Sequence, residues 1–69
     1  MSYEKRIRNN NITYINKDGH VIGSAYRSED GNVGLTRCPE CNRENYALMV
    51  AKGICAWCEF DAGEDLNND

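Results

Sequence analysis

The sequence predicts a small β-rich metal-bound domain: an antiparallel β-meander followed by a cysteine-ligated site, with room for a single short helix. Three observations carry this. The four cysteines of the chain form two pairs, Cys38-Pro39-Glu40-Cys41 and Cys55-Ala56-Trp57-Cys58, with thirteen residues between them. Two Asp-Gly turns, at Asp18-Gly19 and Asp30-Gly31, separate three β-prone stretches. Finally, the chain has 69 residues. At that size an apolar core seldom supplies more than about 3–5 kcal/mol, so a staple is needed.

The elements follow in chain order. Residues 1–10 are polar and run into Asn9-Asn10-Asn11; they read as a flexible basic arm. Residues 11–60 read as one domain, with the meander over 12–36 and the metal-binding segment over 37–60. Ile12-Thr13-Tyr14-Ile15 is rich in β-branched and aromatic residues and forms the first expected strand. Val21 to Tyr26 is the second, with Gly23 as a weak point or bulge. Val33 to Thr36 is the third and runs almost straight into Cys38. Residues 44–51 fit either a short helix capped by Asn42 and ended by Gly53, or a strand over Tyr46 to Val50. The strand is the reading preferred here. Residues 61–69 hold one leucine among acids and read as a flexible acidic tail.

The cysteine spacing dictates the chemistry. Two residues between cysteines make a tight turn that brings both sulfurs to one side, where backbone N–H groups stabilise thiolate charge. Pro39 fixes φ in the first turn. The residue after the second cysteine often needs a left-handed conformation. Asn42 tolerates it; Glu59 is less comfortable there, so the second turn is expected to differ in shape. Four thiolates at this spacing suit one structural zinc ion, at Cys38, Cys41, Cys55 and Cys58. Iron in a rubredoxin-like site, two disulfides, or an exchange-active dithiol pair are the alternatives. His20 sits beside a turn and is expected to be exposed, because the ligand set is complete without it.

Net charge is −3, and it is uneven. Residues 1–37 hold six cations against four acids; residues 38–69 hold two against seven. The metal half is therefore the acidic half, which disfavours its gripping a phosphate backbone. Met1-Ser2-Tyr3-Glu4 leads into polar residues, and the longest apolar run, Tyr46 to Ala51, is far short of a bilayer span. A cytoplasmic, reducing location and no membrane partner are expected.

The two cysteine turns, Cys38-Pro39-x-Cys41 and Cys55-x-Trp57-Cys58, resemble the knuckles of zinc ribbons and treble-clef zinc proteins over about residues 36–60. The resemblance implies a zinc module with two knuckles and implies no activity. The first 35 residues resemble no family.

The expectation is a small zinc-binding adaptor or regulator, with no catalytic residues and no small-molecule substrate. Four thiolates leave no open metal position, and neither a phosphate-binding glycine loop nor an acid–base pair is evident. A protein partner is expected ahead of a nucleic acid, with Trp57, Tyr46, Glu59 and Asp61 as candidate contacts. The alternative is a nucleic-acid binder using Lys5, Arg6, Arg8 and Arg27, interleaved with Tyr3, Tyr14 and Tyr26.

Overall fold

The computed structural model describes residues 3–67. Four strands form one antiparallel sheet in the order β1-β2-β3-β4. They are β1 (Tyr3–Arg8), β2 (Asn11–Asn16), β3 (Val21–Arg27) and β4 (Val33–Arg37). Two short helices follow, α1 (Ala47–Val50) and α2 (Ala62–Asn67). The meander is as expected, with one strand more.

Turn chemistry sets the sheet order. Both Asp-Gly turns place glycine at positive φ, 87° at Gly19 and 92° at Gly31. The Asn16 side chain accepts from the N–H groups of Asp18 and His20 and closes the first of them. In the second, the Ser28 N–H donates to the Asn32 carbonyl at 2.7 Å. His20 is exposed, as expected.

The register sorts side chains between two faces. Ile7, Ile12, Ala25 and Leu35 lie in one row across the sheet, and Lys5, Tyr14 and Gly23 in another. Ile12, Tyr14, Ala25 and Leu35 form the core with Cys38, Cys55, Ala62 and Leu66. The cysteine turns and α2 thus cover one face of the sheet. On the other, Ser24 and Thr36 share a hydroxyl hydrogen bond of 2.5 Å, and the Tyr26 ring lies across Gly34. Gly23 is needed because the first cysteine turn rests on it: a Cβ there would stand 2.8 Å from the Pro39 nitrogen and 2.9 Å from the Arg37 carbonyl oxygen.

Three expectations are corrected. Residues 3–8 are not a flexible arm but strand β1, paired along its length with β2. Tyr3 packs edge-on against Tyr14, with ring centres 5.2 Å apart. Lys5 reaches across the core to Asp65, with its ammonium 3.1 Å from one carboxylate oxygen and 3.1 Å from the carbonyl oxygen. Residues 62–67 are not a loose tail but α2. The Asp61 side chain caps it by accepting from the Glu64 N–H at 3.1 Å, and Ala62 and Leu66, four apart, are buried against the sheet. The expectations for residues 1–2 and 68–69 lie outside the described range.

Residues 46–50 are not a strand. Tyr46 is extended at the N-cap, and Ala47–Val50 make one helical turn. The backbone satisfies itself locally: the N–H groups of Met49 and Val50 donate to the Tyr46 carbonyl, and those of Lys52 and Gly53 to Met49 and Val50. With those groups spent, no ladder is left to form. Gly53, at φ 71°, ends the turn as expected.

Candidate metal centre

The two Cys-x-x-Cys segments fold into one repeated design. In the first, the Asn42 N–H donates to the Cys38 carbonyl at 2.8 Å and the Cys38 N–H to the Arg43 carbonyl at 3.1 Å. In the second, the Glu59 N–H donates to the Cys55 carbonyl at 3.0 Å and the Cys55 N–H to the Phe60 carbonyl at 2.8 Å. A single bridge closes each, Arg37 to Glu44 and Ile54 to Asp61, at equivalent positions. Asn42 (φ 58°) and Glu59 (φ 66°) are both left-handed. The expected difference in shape between the turns is therefore absent: Glu59 takes the strained conformation because the closing bonds on either side of it demand it.

All four Sγ atoms lie within 4.8 Å of one another. Cys38 and Cys58 approach to 3.4 Å, and Cys41 and Cys55 to 3.6 Å. With metal–sulfur bonds of about 2.3 Å, a tetrahedron has sulfur–sulfur edges of about 3.8 Å. The four thiols are free, and the cluster fits one ion. One ion held by all four has a filled tetrahedral shell.

The surroundings divide the thiols. Burial pushes the Cys38 thiol far up, against the pull of the Cys41 and Glu40 N–H groups. Burial acts the same way on Cys55, but the N–H groups of Cys58 and Trp57 and the neighbouring sulfurs outweigh it and bring that thiol down to about 7. The Trp57 N–H lies 3.4 Å from the Cys55 sulfur. Burial raises the Cys58 thiol as well, so of these three Cys55 alone favours the thiolate, and binding of a cation would release protons from the others.

Asn45 joins the pieces, a role that reading the sequence missed. It is 7% exposed. Its Nδ2 donates to the carbonyls of Leu35 (2.9 Å) and Ile54 (3.0 Å). Its Oδ1 accepts from the N–H groups of Tyr46 and Ala56, both at 2.9 Å. One side chain thus ties β4, the start of α1 and the second knuckle together, using every hydrogen-bonding site that it has. The available signal was an asparagine four residues after Cys41, indistinguishable in sequence from a turn residue.

The candidate contact residues divide. Tyr46 (52% exposed) and Trp57 (54%) stand open, joined by Leu48 (73%), which the sequence reading missed. The Trp57 indole N–H donates to the Glu44 carbonyl at 3.0 Å, so the ring spans from one knuckle to the exit of the other. Glu59 and Asp61 are exposed, with Asp61 also serving as the cap of α2. Of the four basic candidates, three are exposed and Lys5 is not. Lys5 is held inside by Asp65. Arg6 and Arg8 are exposed on β1, Arg6 beside Glu4 at 3.3 Å. Arg27 lines a cleft with Lys52. Tyr14 is fully buried and so cannot stack a base; Tyr3, half-buried, packs edge-on against it.

No family model matches the chain, and neither a curated protein nor a solved structure does.

Proposed function

We propose that this chain is a small zinc-binding adaptor or regulator, not an enzyme, that binds a protein partner through a zinc-stapled β scaffold. The observation that carries the reading is the exposure of Tyr46, Leu48 and Trp57 within twelve residues of chain, beside a four-cysteine cluster. Exposed aromatics held on a rigid frame are the usual anchors of protein interfaces. Asn45 supplies the rigidity, since it holds the backbone at Tyr46 and at Ala56, next to Trp57. Glu40, Glu44, Glu59 and Asp61 are exposed in the same half of the chain, which favours a basic partner and speeds its encounter.

Zinc is the ion of choice for four thiolates in a tetrahedron, and it closes the shell without redox chemistry. A reducing cytoplasm keeps such thiols available. Metal analysis of protein purified without chelator should give one equivalent of zinc. Iron at that stoichiometry, or two disulfides, overturns the metal assignment. Stripping the ion should unfold the chain, because structural zinc contributes about 10–16 kcal/mol of apparent binding free energy coupled to folding. The partner reading is tested by capture from a lysate with the wild type and with Trp57→Ser and Tyr46→Ser. Specific partners should be lost from both variants while their spectra stay native. Equal capture by all three removes this surface from the reading.

A further inference from the structure

We propose that the cleft between the β3–β4 turn and the loop after α1 is a binding site for a phosphate-class oxyanion, held by Arg27 and Lys52. The cleft has a volume of about 790 Å³ and is lined by these two cations, by Asn32, and by the backbone of Gly31 and Gly63 over Val33. No carboxylate contributes to its lining.

The charge arrangement is the first argument. The chain carries eleven acids and eight bases, so a base has many potential partners. Lys5 has Asp65, and Arg6 has Glu4. Among the described residues, neither Arg27 nor Lys52 has an ion-pair or side-chain hydrogen-bond partner; Arg8, Lys17 and Arg43 share that state, but Arg27 and Lys52 are the two that line one cleft. Two acids lie on the β3–β4 turn: Glu29 is exposed and outside the lining, and Asp30 is turned into its own turn by Ser28 and by the Asn32 side chain and N–H. The hydroxyl of Ser28 and then the Asn32 N–H hold the Asp30 carboxyl below the usual range, as expected of a carboxylate engaged at home. Glu64, beside Gly63, is exposed and outside the lining.

The second argument is that the two walls are fixed relative to each other. Arg27 sits opposite Val33 in the last pair of the β3–β4 ladder. The Val33 carbonyl faces Gly53, where an added Cβ would meet its oxygen at 2.5 Å. Lys52, the residue before Gly53, is thereby held in the lining of the same cleft as Arg27. The cleft owes its shape to backbone contacts, so it does not need a ligand in order to form.

The ligand class follows from the chemistry. Two like charges facing one cleft are relieved together by a single dianion. Phosphate carries about −1.5 to −2 charges near neutral pH. Its oxygens match the planar fork of arginine and the point charge of lysine. A free phosphate and a phosphate carried on a phosphoserine present the same group. Neither Tyr46 nor Trp57 lines the cleft, so the titration and the partner capture test different residues.

The test is an amide NMR titration of the metal-loaded full chain at constant ionic strength. One arm uses inorganic phosphate and the other a short, otherwise neutral phosphoserine peptide. Saturable shifts at Gly31, Asn32, Lys52 and Gly63 are expected in at least one arm. Tighter binding of the peptide assigns the phosphate to a macromolecule; equal or tighter binding of the free ion assigns it to solution. Arg27→Gln and Lys52→Gln should each weaken binding about three- to fivefold, and the pair together about tenfold or more. Both side chains are on the outside of the fold, so the variants should keep native spectra. Absence of saturable shifts in both arms, or shifts that survive in the double variant, overturns the proposal.

Discussion

Replacing Lys5 with methionine removes the charge that ties the first strand to the last helix and keeps the aliphatic stem. The wild-type ammonium lies 3.1 Å from Asp65 Oδ2, with the two side chains 9% and 16% exposed. At that separation the Coulomb attraction is about 5 kcal/mol with an effective dielectric of about 20. Desolvation of both groups cancels part of it. What the variant leaves is a largely buried carboxylate with only the Tyr3 hydroxyl, at 3.4 Å, to answer it. Breaking one side of a buried pair costs about 3–5 kcal/mol, and the residual exposure here places this one near 3. In a domain of this size that is a fall of about 12–24 °C in Tm. The assay is urea denaturation of the metal-loaded protein, with amide hydrogen exchange to locate the loss. Protection should fall first in β1 and α2, because the metal continues to hold the knuckles. Removing both charges, with Lys5→Met and Asp65→Leu together, should recover most of the loss. A single-variant cost below about 0.5 kcal/mol, the range of an exposed pair, would refute the argument that this contact orders the two ends of the chain.

Three further outcomes follow from the packing and electrostatics. Asn45→Ala should cost about 3–5 kcal/mol, since it strands buried backbone groups on three segments; Asn45→Asp should cost nearly as much, since two donors become acceptors, and denaturation midpoints of both variants check this. Gly23→Ala should destabilise by about 1–3 kcal/mol, because the added methyl meets backbone atoms of Pro39 and Arg37 rather than a yielding side chain; weakened metal retention against a chelator would show that the strain reaches the first knuckle. Burial, and then the Asp65 carboxylate, push the Tyr3 hydroxyl up to about 12 from an ordinary 10; the stability linked to neutral Tyr3 is complete below pH 10 and is lost as pH rises towards 12, so Tyr3→Phe should lack that part of the alkaline decline.

Local signals with a single meaning could be read from the sequence. Asp18-Gly19 and Asp30-Gly31 announced the turns because glycine supplies their positive φ, and the cysteine spacing announced the cluster because few other arrangements need it. Two segments gave signals too weak to outweigh their composition. Tyr3-Glu4-Lys5-Arg6-Ile7-Arg8 alternates between the covered and open faces of a strand, but its inward lysine looks like solvent chemistry until Asp65 is in place. Asp61 to Leu66 carries a cap, an acid three residues on, and two apolar residues four apart, which is a helix pattern hidden in an acidic stretch. Residues 46–50 could not be settled locally, since Tyr-Ala-Leu-Met-Val suits either state, and the outcome rests on Asn45 bonding to groups ten residues earlier and eleven later. Leu48 was missed because an exposed leucine beside Tyr46 carries no signal of its own in the sequence.

The two knuckles share one more property, and it bears on rates rather than on equilibrium. In each pair the first cysteine, Cys38 or Cys55, is buried, while Cys41 is half-buried and Cys58 is exposed. Any ion held by the four sulfurs is therefore sheltered on the sheet side and reachable on one flank alone. Exchange of such an ion with a chelator or with another protein's thiols is expected to begin at Cys58, with Cys41 next, as the order of thiol alkylation would show. The residence time of an ion bound there would be set at that flank, next along the chain to exposed Trp57.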